Sequence, residues 1–193
     1  MFYFIFVFFS TGMDDWINDV RSNMQDIFEH KCVRESSPQD GPLLLSWMLA
    51  NYAIDPDNID TLIRFRPFGI KAIQLDVFKY LRDLINCEMF QEETHYAEVV
   101  RSSVYNLLSL MCVFMDEDRL SALNGIFDAL AAIVKFPECA TRFWAEQGDG
   151  LWSIYKVAKE LYPYKFEPLT KIAIGLASTI ITSAKKVTYN YTY

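Results

Sequence analysis

Residues 92–115 read EETHYAEVVRSSVYNLLSLMCVFM, and the spacing of their apolar side chains decides the fold class. Val100, Val104, Leu107, Leu108, Met111 and Met115 fall at i, i+4, i+7, i+8, i+11 and i+15, which places them on one face of a helix. Downstream, Asp116-Glu117-Asp118 reads as an acidic cap for a second helix. Leu120, Leu123, Phe127, Leu130 and Val134 carry that helix unbroken to Phe136. Pro137 opens a short helix through Trp144, and Gly148-Asp149-Gly150 is a turn whose Asp149 is expected to cap Leu151 to Leu161. Leu169, Ile172, Leu176 and Ile180 mark a last long helix.

Upstream the same period continues. Trp16, Val20, Met24 (or Ile27) and Phe28 predict a helix from Asp14 to Arg34, followed by the turn-forming loop Glu35 to Gly41. Asp40 or Gly41 is expected to cap the next helix, Pro42 to Ala53, which is apolar almost all round and must be inner. Asp55-Pro56-Asp57 ends it and starts a short helix through Ile63. Pro67-Phe68-Gly69 is then expected to break the chain before a long helix, Ile70 to Asn86. That helix has one stripe with Ile70, Ile73, Val77, Tyr80, Leu81 and Leu84, and a second with Leu75, Phe78 and Ile85. Only the tail, Val187 to Tyr193, alternates as a strand would, and it is read as a frayed or truncated end.

Eight or so helices with short links predict an all-α fold, an irregular α-solenoid of the HEAT or armadillo kind in which helices stack antiparallel. A compact helical bundle is the structural alternative. The expected divisions are 1–12 as an apolar extension, 13–187 as the solenoid segment, and 188–193 as the tail. The opening run MFYFIFVFF is too short to span a bilayer as a helix. It resembles the apolar part of a signal peptide but has no Lys or Arg before it, and Met13 is the preferred natural start.

Composition supports a folded chain without nucleic-acid chemistry. The 193 residues are 52% hydrophobic and 16% aromatic, with a net charge of −7 and no basic stripe beyond the pair Lys185-Lys186. Cys32, Cys87, Cys112 and Cys139 are scattered with no CxxC, and three of them sit among apolar neighbours, as small buried hydrophobes do. His30 and His95 share no ligand or acid–base spacing and are expected on exposed helix faces. No Walker loop, GxGxxG or GxSxG occurs, and Asp116-Glu117-Asp118 lacks the spaced oxygens of a calcium loop. No catalytic, cofactor-binding or metal-ligating residue is therefore expected, and no cofactor or small-molecule substrate. Gly41, Pro42, Trp47, Gly69, Gln74, Phe78 and Trp144 are candidates for structural importance, with Gln74 expected to hydrogen-bond a neighbouring loop.

Three stretches resemble the nucleoporin 188 family: Asp40-Gly-Pro-Leu-Leu-Leu-Ser-Trp47, Gly69-Ile-Lys-Ala-Ile-Gln-Leu-Asp-Val-Phe-Lys-Tyr-Leu81, and Arg142-Phe-Trp144 with the helix into Ser183-Ala-Lys-Lys-Val187. The resemblance runs from about Asp14 to Val187 and marks the chain as a fragment of that family's N-terminal half. It implies an α-helical scaffold in the inner ring of the nuclear pore complex, at the nuclear envelope, supporting nucleocytoplasmic transport of protein and mRNA. The implied partners are other scaffold nucleoporins, with no direct nucleic acid and no transmembrane span. The alternative, motivated by MFYFIFVFF, is a small secreted or lumenal helical carrier led by a signal peptide.

Overall fold

The structure, a computed structural model, describes residues 22–30 and 36–178. Among these residues the regular structure is helical throughout. The ten helices are α1 (22–30), α2 (Asp40–Ile54), α3 (Ile59–Gln74), α4 (Val77–Asn86), α5 (His95–Phe114), α6 (Glu117–Ala122), α7 (Ile126–Ile133), α8 (Pro137–Ala145), α9 (Trp152–Leu161) and α10 (Glu167–Ala177). A 3₁₀ turn, Glu88–Phe90, precedes α5. The chain divides into two compact units between Val77 and Phe78. The expected residues Asp14–Arg21, Lys31–Arg34 and Ile180, and the tail from Val187, lie outside the described residues.

In the first unit, α2 and α3 pair antiparallel across the link Asp55 to Asn58. The Tyr52 hydroxyl donates to the Leu62 carbonyl at 2.9 Å, and Trp47 meets Phe65 edge-on at 6.3 Å. As its composition requires, α2 is inner: Leu44, Leu45, Trp47, Met48 and Leu49 are all buried. Each such side chain removed from water contributes roughly 2 kcal/mol. The α2 start differs from expectation. Asp40 is already helical, and its carboxylate turns back to accept the Ser37 backbone N–H and hydroxyl, both at 2.9 Å. The winding therefore begins upstream of the expected Pro42. By contrast Asn58 caps α3 through its side chain, which accepts from the Asp60 and Thr61 N–H groups.

The break expected at Pro67-Phe68-Gly69 is absent, because α3 runs through it. Pro67 is solvent-exposed, and so is Ile63, the residue whose carbonyl loses its i+4 donor to the proline. Gly69 serves close packing rather than a turn: a Cβ there would fall 2.3 Å from Met48 Sδ. The chain turns instead at Asp76, which takes the left-handed conformation (φ 53°) and so separates α3 from α4.

In the second unit, Phe78, Leu81, Tyr105, Leu108, Met111 and Leu130 head the buried core. The helix expected from Leu120 to Phe136 is two helices, α6 and α7, separated at Leu123-Asn124-Gly125. Gly125 has φ 79°, which an L side chain resists. Pro137 occupies the first turn of α8 as predicted. Asp149 does not cap α9 by its side chain; its backbone carbonyl accepts from the Trp152 N–H at 3.1 Å.

By length and composition α5 could cross a membrane. Its buried face packs on the 3₁₀ turn, α7 and α8, and that face includes an arginine ion-paired to α8, which is the environment of a core helix in a helical stack.

Candidate functional site

The residues that sequence reading singled out are mostly pieces of the two cores. Gly41, Pro42 and Trp47 are buried in α2. The Trp47 ring stacks on Phe28 at 4.9 Å, and its indole N–H donates to Gln25 Oε1 at 3.1 Å. Phe78 and Trp144 are likewise buried. Gln74 departs from expectation: it is the last residue of α3 and faces solvent rather than a loop. His30 and His95 are exposed on α1 and α5, as their spacing predicts. Among the described residues no three His, Cys, Asp or Glu side chains gather as metal ligands.

Of the cysteines, Cys112 and Cys139 are buried free thiols and Cys87 is an exposed one. Burial pushes both buried thiols up from 9.0 to about 12. Neither is poised as a nucleophile, since the reactive form is the thiolate.

The feature that sequence reading missed is a pair of arginine clamps between α5 and α8. Arg101 is only 3% exposed. Its Nε donates to Glu138 Oε1 at 2.6 Å, and its Nη1 donates to the carbonyls of Phe90 and Glu92 at 2.9 and 3.1 Å. The guanidinium also lies 4.5 Å from the centroid of the Phe136 ring. The second clamp runs the opposite way, from α8 to α5. Arg142 Nε donates to Glu146 Oε1 at 2.6 Å and Nη1 to Asn106 Oδ1, with its carbon 4.4 Å over Tyr105. The Tyr105 hydroxyl completes the group by donating to Glu146 Oε2 at 2.9 Å. Burial, and next that bond, push the Tyr105 phenol well above its ordinary value.

These polar groups are satisfied by one another, which makes the cluster a fastening and not a reaction centre. A signal for Arg101 was present: Arg101, Tyr105, Leu108 and Cys112 share one helix face, so a cation stands in an otherwise buried stripe.

One cleft, of about 350 Å³, opens beside the α6–α7 link and is lined by Leu123, Gly125, Phe127, Lys165, Glu167 and Lys171. Lys171 bridges Asp128 Oδ1 at 2.6 Å and Glu167 Oε1 at 2.8 Å, and those two bonds raise its pKa. Lys165 and Lys171 stand against Asp128 and Glu167, so the cleft has no excess charge to draw an ionic ligand.

The sequence model of the family described as "Nucleoporin Nup188, N-terminal" matches residues 3–187, beginning ahead of Asp14, where the resemblance read from sequence begins. The chain is 32% identical over 142 residues to "Nucleoporin Nup188" of Drosophila melanogaster, covering 72% of the chain and 8% of that protein. It is 28% identical over 152 residues to "Nucleoporin NUP188" of Xenopus tropicalis (78% of the chain) and 28% over 151 residues to that of Homo sapiens (78%). It spans about 8% of the length of each of these relatives. A chain matched along nearly its whole length by one family belongs to that family: this is a member of the Nup188 nucleoporins, from their N-terminal region.

Proposed function

We propose that this chain is a scaffold segment of the nuclear pore complex at the nuclear envelope, where it supports nucleocytoplasmic transport through contacts between helices and partner proteins. The observation that carries this reading is the family match over residues 3–187. The proposed partners are other scaffold nucleoporins, and the proposed role involves no catalysis, cofactor or direct nucleic-acid contact.

Packing in the second unit supports a solenoid. There α5 packs on α8, α6 on α9 and α7 on α10, so helices three apart in sequence are neighbours. That offset is what stacked three-helix units produce, each covering the apolar face of the one before. The nucleoporin match speaks against a secreted carrier, since it takes in most of the apolar opening run that motivated that alternative.

The test is microscopy of the chain, tagged at its C-terminus and expressed from Met1. A punctate nuclear rim is expected; a reticular or secreted signal overturns the reading.

A further inference from the structure

A stripe of isoleucine stands on the side of α3 away from its own core. Phe65, Phe68, Gly69 and Ala72 form the buried face of this helix. Ile59, Ile63 and Ile70 are 70%, 66% and 46% exposed. At 3.6 residues per turn these three lie within about 40° of one another and roughly opposite the buried face. The stripe is about 16 Å long. Single exposed apolar residues are ordinary, but three in line on a helix already buried on its other side form a surface.

Charge identifies what fits it. In a chain of net charge −7, α3 carries Arg64, Arg66 and Lys71 against the single acid Asp60, and Arg64 and Lys71 lie about 100° or more round the helix from the middle of the stripe. Arg66 is exposed and lies on the stripe itself, between Ile63 and Ile70. An occupant that covered the isoleucines with aliphatic side chains alone would strip water from this guanidinium without replacing it. The occupant must therefore present a carboxylate among its apolar residues, and Arg pairs with carboxylate in a two-bond fork. A ridge of this length receives another helix by interlocking side chains. A strand has nothing to add to, because the α3 backbone is already hydrogen-bonded within the helix. A membrane surface fits less well, since exposed Asp57 and Asp60 at the start of the stripe would be pressed against anionic headgroups, whereas a helix can set one carboxylate at Arg66 and keep the end that faces these acids free of negative charge.

We infer that the Ile59–Ile63–Arg66–Ile70 face of α3 is a docking site for an amphipathic helix of a partner protein that presents a carboxylate to Arg66. The inference rests on the scaffold reading above and names the chemistry of one contact within it.

The test places the photo-cross-linker p-benzoylphenylalanine at position 63 of the full chain in cells and maps the cross-linked peptides. The expected product is a segment of another protein with apolar residues at helical spacing and a carboxylate among them. Arg66→Glu should lower its yield at least tenfold, whereas Lys79→Glu, an exposed change on α4, should leave it unchanged. Cross-links confined to lipid, to this chain or to basic segments overturn the inference, as do no cross-links at all or yields indifferent to Arg66→Glu. The nuclear rim signal separates the two readings. A rim retained without the expected cross-link defeats only the docking site, and the expected cross-link without a rim defeats only the nuclear-pore location.

Discussion

Gly175 of α10 lies so close to Ala131 of α7 that a Cβ at position 175 would stand 2.5 Å from the Ala131 carbonyl oxygen. The obstacle is backbone, which cannot swing aside. Gly175→Ala should therefore destabilise the second unit by about 2 kcal/mol, the range of core overpacking. Gly69→Ala meets only the thioether of Met48, the end of a flexible side chain. Its cost should be smaller, about 1 kcal/mol or less, because alanine also favours the helix. Urea unfolding followed by tryptophan fluorescence distinguishes the two; equal losses would contradict this assignment.

Removing Arg101 should cost more than removing its ion partner. Arg101→Ala leaves the Phe90 and Glu92 carbonyls and the Glu138 carboxylate without their shared donor, and about 3 kcal/mol is expected. Glu138 keeps 41% of its side-chain surface in water, so Glu138→Gln should cost only about 1 kcal/mol. A double-mutant cycle measured by urea unfolding should give a coupling above about 0.5 kcal/mol. Strict additivity would show that the two residues do not act together.

Asp76 predicts an unusual substitution pattern. Its left-handed backbone suits glycine, so Asp76→Gly should be neutral or stabilising by up to about 1 kcal/mol. Asp76→Val places a β-branched residue at positive φ and should cost about 2 kcal/mol. Thermal unfolding of the two variants checks the order, and a valine variant as stable as the glycine one would contradict it.

The buried thiols make the protein sensitive to alkali. Cys112 and Cys139 are raised by burial from 9.0 to about 12, so between those pH values the unfolded chain loses protons that the folded chain keeps. Stability therefore falls as pH rises through this window, by about 1.4 kcal/mol per pH unit for each thiol. Urea midpoints measured at pH 8, 9 and 10 should decline after pH 9, and Cys112→Ser with Cys139→Ser should flatten the decline. At pH 8, iodoacetamide should label exposed Cys87 well before the other two.

Much of the fold was legible because apolar spacing and tertiary burial agree. The inner position of α2 follows from its composition alone, and the start of α8 follows from Pro137. The misreadings have a common physical cause. Pro67 and Gly69 carry the marks of a chain break, yet solvent beside the proline and Met48 beside the glycine let α3 continue. Conversely, the apolar period from Leu120 to Val134 hides the turn at Asn124-Gly125, where Gly125 takes a positive φ. Arg101 was passed over because the stripe was read for its apolar members. Its acceptors, Phe90, Glu92 and Glu138, are brought together only by the fold.

Aliphatic helix faces look much alike from one turn to the next, and leucine packing alone would tolerate α5 sliding along α8. The guanidinium of Arg101 forbids it. A slip of one turn, about 5.4 Å, would carry the charge away from Glu138, its acceptor on α8, while keeping it out of water, at a cost of several kcal/mol. Arg142, reaching back from α8 to Asn106, opposes the same slip from the other side. The two arginines thus work as keys in a stack of otherwise interchangeable rungs, selecting one alignment where oil-like contacts would accept several.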